Sequence, residues 1–192
     1  RANVYPTREY LARGRKDGRI TSCRHCKAEN ESCAHIIGQC PARIKRHNYI
    51  CEMLSVEAKK KDWVIYQEPN IRDPKGELFK PDLVFVKETQ ALVVDVTVRF
   101  EGEANTLEKA AKEKVKKYQH LEKEIRELTN TNKVTFVGFP LGARGKWYNK
   151  NFDLLQTLGL STSRRERVAR AMASRALFTS VDIIHIFVSK TR

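Results

Sequence analysis

The chain alternates between stretches with apolar residues three or four apart and stretches where they recur every second position. From Ala42 to about Lys60, Ile44, Cys51, Leu54 and Ala58 fall at helical spacing and predict a helix. A strand is expected at Trp63–Glu68, followed by a turn from Pro69 to Gly76. Phe79–Lys87 and Ala91–Phe100 read as two more strands joined by the polar Glu88–Gln90. In the second, Leu92, Val94, Val96, Val98 and Phe100 share one face, while Val93, Asp95, Thr97 and Arg99 share the other. A long helix is expected over about Asn105–Leu128, opened by Asn105 and Glu108 as a capping pair. Lys133–Phe139 reads as a strand, Pro140–Gly145 as a loop and Asn151–Leu158 as a helix. Ser163 and Glu166 open a basic helix to about Phe178, and Val181–Val188 reads as a closing strand. Residues 1–20 read as a basic linker holding one short helix near Thr7–Gly14. This order implies an α/β fold with a mixed central sheet flanked by helices, over about residues 42–192.

Charge narrows the partners. The chain carries 37 Lys plus Arg against 23 Asp plus Glu, a formal net charge of +14. Such an excess draws in polyanions, nucleic acid first among them. No apolar run approaches the roughly 18 residues that span a bilayer, and no secretory signal is visible. A chain that opens on Arg1 rather than Met reads as a piece of something longer.

Four of the five cysteines crowd between Cys23 and Cys40. Cys23-x2-Cys26-x8-His35-x4-Cys40 offers three thiolates and one imidazole as two close pairs, the ligand set of a closed tetrahedral zinc knuckle at residues 21–41. His25 and Cys33 lie near enough to substitute, and Cys51 reads as a core residue of its helix. Arg24, Lys27, Arg43, Lys45 and Arg46 surround the cluster with positive charge.

A second constellation is acidic. Lys80-Pro81-Asp82 opens one strand, and Asp95 sits within the valine-rich core of the next. A carboxylate there is costly unless a cation neutralises it. Two such groups on adjacent strands can converge on Mg²⁺, which takes hard oxygen ligands, water and phosphate. On the following helix, Leu107, Ala111, Tyr118, Leu121, Ile125 and Leu128 mark an inward seam, and Lys114 falls on it. Lys114 lies about 40° from Tyr118 around the helix and Lys117 about 100°. An inward lysine beside inward aspartates suggests an active site, whereas a snorkelling Lys114 beside a core Val115 would be structural.

Pro81-Asp82 followed by Asp95-Val96-Thr97 resembles the PD-(D/E)xK nuclease pattern, with Thr97 standing at the usual lysine position. Together with the Cys-Cys-His-Cys set, Arg46-His47-Asn48 and Lys114 through Lys117-Tyr118, the chain resembles the restriction-like endonuclease at the C-terminal end of site-specific non-LTR retrotransposon proteins that insert into ribosomal RNA genes. The resemblance runs from Asn3-Val4-Tyr5-Pro6-Thr7-Arg8 to the Lys114–Tyr118 helix and is weakest after about Pro140. It implies a restriction-endonuclease-like sheet, a reverse transcriptase upstream and action in the nucleus. It implies nicking of double-stranded DNA to expose a 3′ hydroxyl that primes copying of element RNA. Asp82 and Asp95 would then hold Mg²⁺ (Mn²⁺ as a substitute), and Lys114 would replace the lysine missing at Thr97. Tyr118 would flank the catalytic site, with Arg46, His47, Asn48 and Lys117 as nucleic-acid contacts.

The remaining candidates divide between chemistry and structure. His47 reads as a satisfied structural histidine before a general base, since a metal can activate water unaided. Glu68 and Glu52 stand between extra metal-shell carboxylates and plain surface charges. Arg164, Arg165, Arg167, Arg170 and Arg175 give the late helix a basic face that is either solvated or in contact with phosphates. Trp63, Trp147 and Tyr148 are candidates for base stacking, with a core role favoured for Trp63. Gly142-x-x-Gly145-Lys146 lacks the spacing of a phosphate-binding loop. Two rival functions remain: a junction-resolving or repair nuclease, and a nucleic-acid-binding module with a decayed site.

Overall fold

The computed structural model describes residues 5–15 and 17–189, so Asn3 and Val4 lie outside the described residues. A short helix α1 (Arg8–Ala12) is capped by Thr7, whose buried side chain accepts from the Tyr10 amide at 3.2 Å. The cysteine segment contributes α2 (Cys33–Gly38), opened by Ser32, whose hydroxyl accepts from the His35 amide. A 3₁₀ turn at Pro41–Arg43 leads into α3 (Ile44–Lys59). The strands β1 (Val64–Gln67), β2 (Ile71–Arg72), β3 (Leu78–Phe79), β4 (Leu83–Lys87) and β5 (Gln90–Arg99) follow. Then come α4 (Thr106–Tyr118), α5 (Glu122–Thr129), β6 (Lys133–Gly142), α6 (Asn151–Thr157) and α7 (Thr162–Ser189).

The fold is mixed α/β. Its main sheet has the order β1-β4-β5-β6, antiparallel except for the parallel β5–β6 pair, and β2 pairs with β3 as a separate ribbon. Because α4 and α5 connect β5 to β6, those two strands can run parallel. The two faces of β5 feed different cores. Leu92, Val94, Val96 and Val98 join Ile50 and Leu54 of α3 and Val168 and Met172 of α7. Val93 joins Tyr118, Leu121 and Ile125 on the other side. The cysteine segment is tied to the first core: Cys23, Cys33, Ile36, Ile37 and Cys40 share its apolar cluster.

Five expectations change, the first being that β2 (Ile71–Arg72) falls inside the turn expected from Pro69 to Gly76. Val181–Val188 is helical, the last part of α7, because Ser180, Ile183, Ile184 and Phe187 form a buried helical stripe. The expected single helix over Asn105–Leu128 is interrupted by a 3₁₀ turn at Gln119–Leu121, and Asn105 makes no side-chain cap bond. Pro140 does not end its strand: β6 is an edge strand, where a missing N–H is tolerated, and it runs on to Gly142. Conversely, the strand expected at Phe79–Lys87 is broken at Lys80–Asp82, which separates β3 from β4. Among the described residues, no helix is long and apolar enough to cross a membrane.

Candidate functional site

Two clusters of metal-ligand chemistry lie near the sheet. In the cysteine cluster, the ligand atoms of Cys23, Cys26, His35 and Cys40 all lie within 4.8 Å of one another. Cys23 Sγ and Cys40 Sγ are 4.0 Å apart, and Cys26 Sγ is 3.2 Å from His35 Nε2. Tetrahedral zinc with Zn–S bonds near 2.3 Å sets thiolates about 3.8 Å apart, so the donor set and its spacing could bind zinc. The turn that brings Cys26 back needs Lys27 at φ 59°, and it is closed by Lys27 N donating to Cys23 O at 2.9 Å. Burial pushes the Cys40 pKa up to about 12, the cost of holding a thiolate there without a cation. His25 and Cys33 stand outside the set: His25 packs its ring against Phe187, and Cys33 is a buried thiol of α2. Arg24 and the fully buried Glu31 pair at 2.7 Å, and Arg24 Nη1 donates to Phe187 O of α7, locking the cluster onto the helical layer.

The second cluster lies where β4 stops. Leu83 of β4 pairs with Val94 of β5, so the same register carried one step on sets Asp82 opposite Asp95. There the side chain takes over from the ladder: Asp82 Oδ2 accepts from the Val96 amide at 2.7 Å. His47 of α3 donates from Nε2 to the same oxygen at 2.9 Å. This bond, chiefly, lifts the His47 pKa to about 11, so the ring is cationic at neutral pH.

Asp95 is 3% exposed and points from β5 toward α4. Lys114 Nζ forms an ion pair with its Oδ1. Burial first, and then the Asp82 charge, raise the Asp95 pKa, while Lys114 works against both. Lys114 reaches this position because α4 packs unusually close to the sheet. Gly138 pairs with Asp95 across β5–β6, and a Cβ on it would stand 2.3 Å from Ala111 O.

Tyr118 is buried beside the pair. Its hydroxyl donates to Lys80 O at 2.9 Å and accepts from Lys117 Nζ at 2.8 Å, which pins the Lys80–Asp82 segment to α4. Burial pushes its pKa upward, so the phenol stays protonated. Thr97 is buried in the cleft wall with Lys114. That cleft, of roughly 610 Å³, is also lined by Arg43, His47, Glu68, Asp82 and Arg99. The two arginines were not among the residues expected here; they arrive because α3 and the end of β5 meet at the cleft.

Three expected nucleic-acid contacts are accessible and one is not. Asn48 and Lys117 are exposed and His47 is half-buried. Arg46 is 0% exposed, with its guanidinium on Ser180 Oγ and Ile37 O, so it clamps α2 and α3 to α7 instead of facing a ligand. Glu52 and Glu68 are exposed; Glu68 adopts φ 45° and donates its amide to Asp82 O at 3.0 Å. Trp63 is core, with Nε1 on Leu158 O, and Trp147 packs on Phe139 and Phe152. Arg164 is bound to Glu57, and Arg175 stacks over Tyr49.

A retrovirus-related Pol polyprotein from type-1 retrotransposable element R2 of Popillia japonica is 32% identical over 174 residues, 88% of this chain and 35% of that protein. Its homologues are R2 retrotransposon Pol polyproteins. The protein of the same description from Bradysia coprophila is 32% identical over 168 residues, covering 84% of this chain and 19% of its own length. That of Nasonia vitripennis is 26% identical over 169 residues, covering 83% and 16%. The chain thus spans about a third or less of these relatives. No protein-family model matches it.

Proposed function

We propose that this chain is the endonuclease region of an R2-type Pol polyprotein, a restriction-like PD-(D/E)xK domain that nicks double-stranded DNA. The observation that carries the reading is the buried Asp95 held against Lys114, one register step from Asp82 at the strand end. Two carboxylates at adjacent register positions, one of them buried, suit a hard oxygen-seeking cation such as Mg²⁺, or Mn²⁺ in its place. When bound, that ion supplies Lewis-acid polarisation of the phosphate and an acidified water.

The protein's own residues do the rest. The Val96 amide and His47 fix Asp82 in one orientation. Lys114 supplies the charge that the pattern usually takes from the position of Thr97, and it stabilises negative charge building on the scissile phosphate. Tyr118 holds the Lys80–Asp82 segment in place as a positioning residue. Arg43 and Arg99 line the approach and draw the DNA backbone in, joined by the exposed Asn48 and Lys117. The nick leaves a 3′ hydroxyl to prime copying of element RNA by a reverse transcriptase upstream in the intact protein. That action belongs in the nucleus, at ribosomal RNA genes.

The test is a nicking assay on supercoiled and target-like DNA with Mg²⁺, comparing the chain with Asp95→Ala. Mg²⁺-dependent cutting that disappears in the variant supports the reading. Equal DNA binding with no cutting by either protein would replace it with a binding module.

A further inference from the structure

A neighbouring cleft that shares His47 and Asp82 with the first carries a different donor set. His47 and Cys51 stand four residues apart on α3, on one helical face, and both look toward Asp82. One ligand atom from each of His47, Cys51 and Asp82 falls within 4.8 Å of the other two. His47 Nε2 is 2.9 Å from Asp82 Oδ2, and Cys51 Sγ is 3.8 and 3.9 Å from the two ring nitrogens.

We propose that His47, Cys51 and Asp82 form a second site for a borderline-soft divalent cation, zinc above all, with three protein ligands and one open position. Zinc with bonds of 2.0–2.3 Å sets its ligand atoms about 3.3–3.6 Å apart, so the three donors, all within 4.8 Å of one another, close on it by side-chain adjustments of about an ångström or less. Thiolate and imidazole select zinc over Mg²⁺. The supporting shell is present as well. Asn48 Oδ1 lies 3.3 Å from His47 Nδ1 and can accept its proton, which leaves Nε2 as the ligand. The Val96 amide orients the carboxylate. Entry is open: the three side chains line a cleft of roughly 560 Å³ whose walls include the exposed carboxylates of Glu52 and Glu68. The entering ion displaces the Cys51 thiol proton and the proton on His47 Nε2 to solvent.

Zinc in this site engages Asp82 and so competes with the hard cation. That competition, though not the binding, rests on the endonuclease reading. The experiment separates the two. Protein carrying one zinc per chain is titrated with Co²⁺, and total bound metal is measured by equilibrium dialysis alongside the thiolate-to-cobalt absorption band. Two metals per chain are expected. Cys51→Ser and, as a second variant, His47→Ala should each weaken the second equivalent by about tenfold or more while leaving the first in place. One metal per chain, or a second that neither variant weakens, overturns the site. With nicking as readout, added Zn²⁺ should inhibit the wild type and inhibit Cys51→Ser about tenfold less strongly. Equal inhibition of both overturns the competition and leaves the binding result standing, and absence of any nicking counts against the endonuclease reading alone.

Discussion

The cysteine cluster, which could bind zinc, and the acidic cleft, which we propose holds Mg²⁺, are assembled in opposite ways. Cys23, Cys26, His35 and Cys40 lie within one short segment, and two tight turns bring their donors together. Asp82, Asp95 and Lys114 come from a strand approach, a central strand and a helix, and they meet only after the sheet has formed. With zinc bound, the first site would gain its geometry from the metal, which would make binding and local folding one event. The second has its geometry imposed by a packed core, which makes it a site that can fail chemically while the fold survives.

The largest expected effect tests the first half of that contrast. Stripping zinc with a chelator under reducing conditions, or Cys40→Ser, should melt residues 21–40, since structural zinc is worth about 10 kcal/mol in small knuckles. Because Cys23, Cys33, Ile36, Ile37 and Cys40 belong to the main apolar cluster, the damage should reach α7. Thermal unfolding by circular dichroism should show a broadened transition at lower temperature. A transition unchanged by chelation would break the comparison at once.

Asp95→Ala should do the reverse. On the proposed function, removing this carboxylate should cut nicking by about a thousandfold, the scale of several kcal/mol of lost transition-state stabilisation. The melting temperature should move by no more than a few degrees, because the same change relieves a buried carboxylate of its desolvation cost. A large loss of stability would mean that Asp95 serves the fold rather than the chemistry.

How legible each region is in sequence follows from the same difference. The candidate zinc ligands are spelled out by spacing, and only the choice among Cys33, His25 and the final four needed coordinates. For Asp95, the alternation of Leu92 to Val98 already put it on the face opposite the main core. The inward seam of α4 singled out Lys114 over Lys117, and the structure bears that geometry out. What stayed hidden depends on contacts far apart in the chain. Arg46 reads as a surface cation until Ser180, 134 residues later, is seen to bond it. Gly138 reads as an ordinary strand residue until Ala111 is found against it. The tail of α7 misled because Val181, Ile183, His185 and Phe187 can be read as a strand as easily as a helix, and only burial decides between the two periods.

Gly138→Ala turns that hidden packing into a measurement. Its Cβ would stand 2.3 Å from Ala111 O, so α4 must move away from β6. Overpacking of this kind costs about 1–3 kcal/mol, or several degrees in melting temperature. Lys114 rides on the same helix, so nicking should fall by more than the loss of folded protein explains. Activity that merely tracks the folded fraction would show that Lys114 does not need the close approach.

The smallest effect concerns the link between the two regions. Helix α3 presents His47 to the cleft, and α7 docks the cysteine cluster through the bond from Arg24 to Phe187 O. Glu57 of α3 and Arg164 of α7 join these helices, and Lys60 adds a second contact at 3.0 Å. The Arg164 guanidinium, first, holds the Glu57 carboxyl down at about 2, against an ordinary 4.5. A carboxyl whose folded pKa is depressed contributes stability above its unfolded value and loses it as pH falls through the folded value. The contribution should therefore be complete above about pH 4.5 and fade toward pH 2. Because Arg164 is partly solvent-exposed, it should amount to no more than about 1 kcal/mol. Glu57→Gln should flatten the stability profile between those limits, read as melting temperature against pH at low salt. If the pair couples the two regions, the variant should also raise hydrogen exchange in α2 and near His47 together. Exchange that rises in only one of them would show that α3 and α7 carry their sites independently.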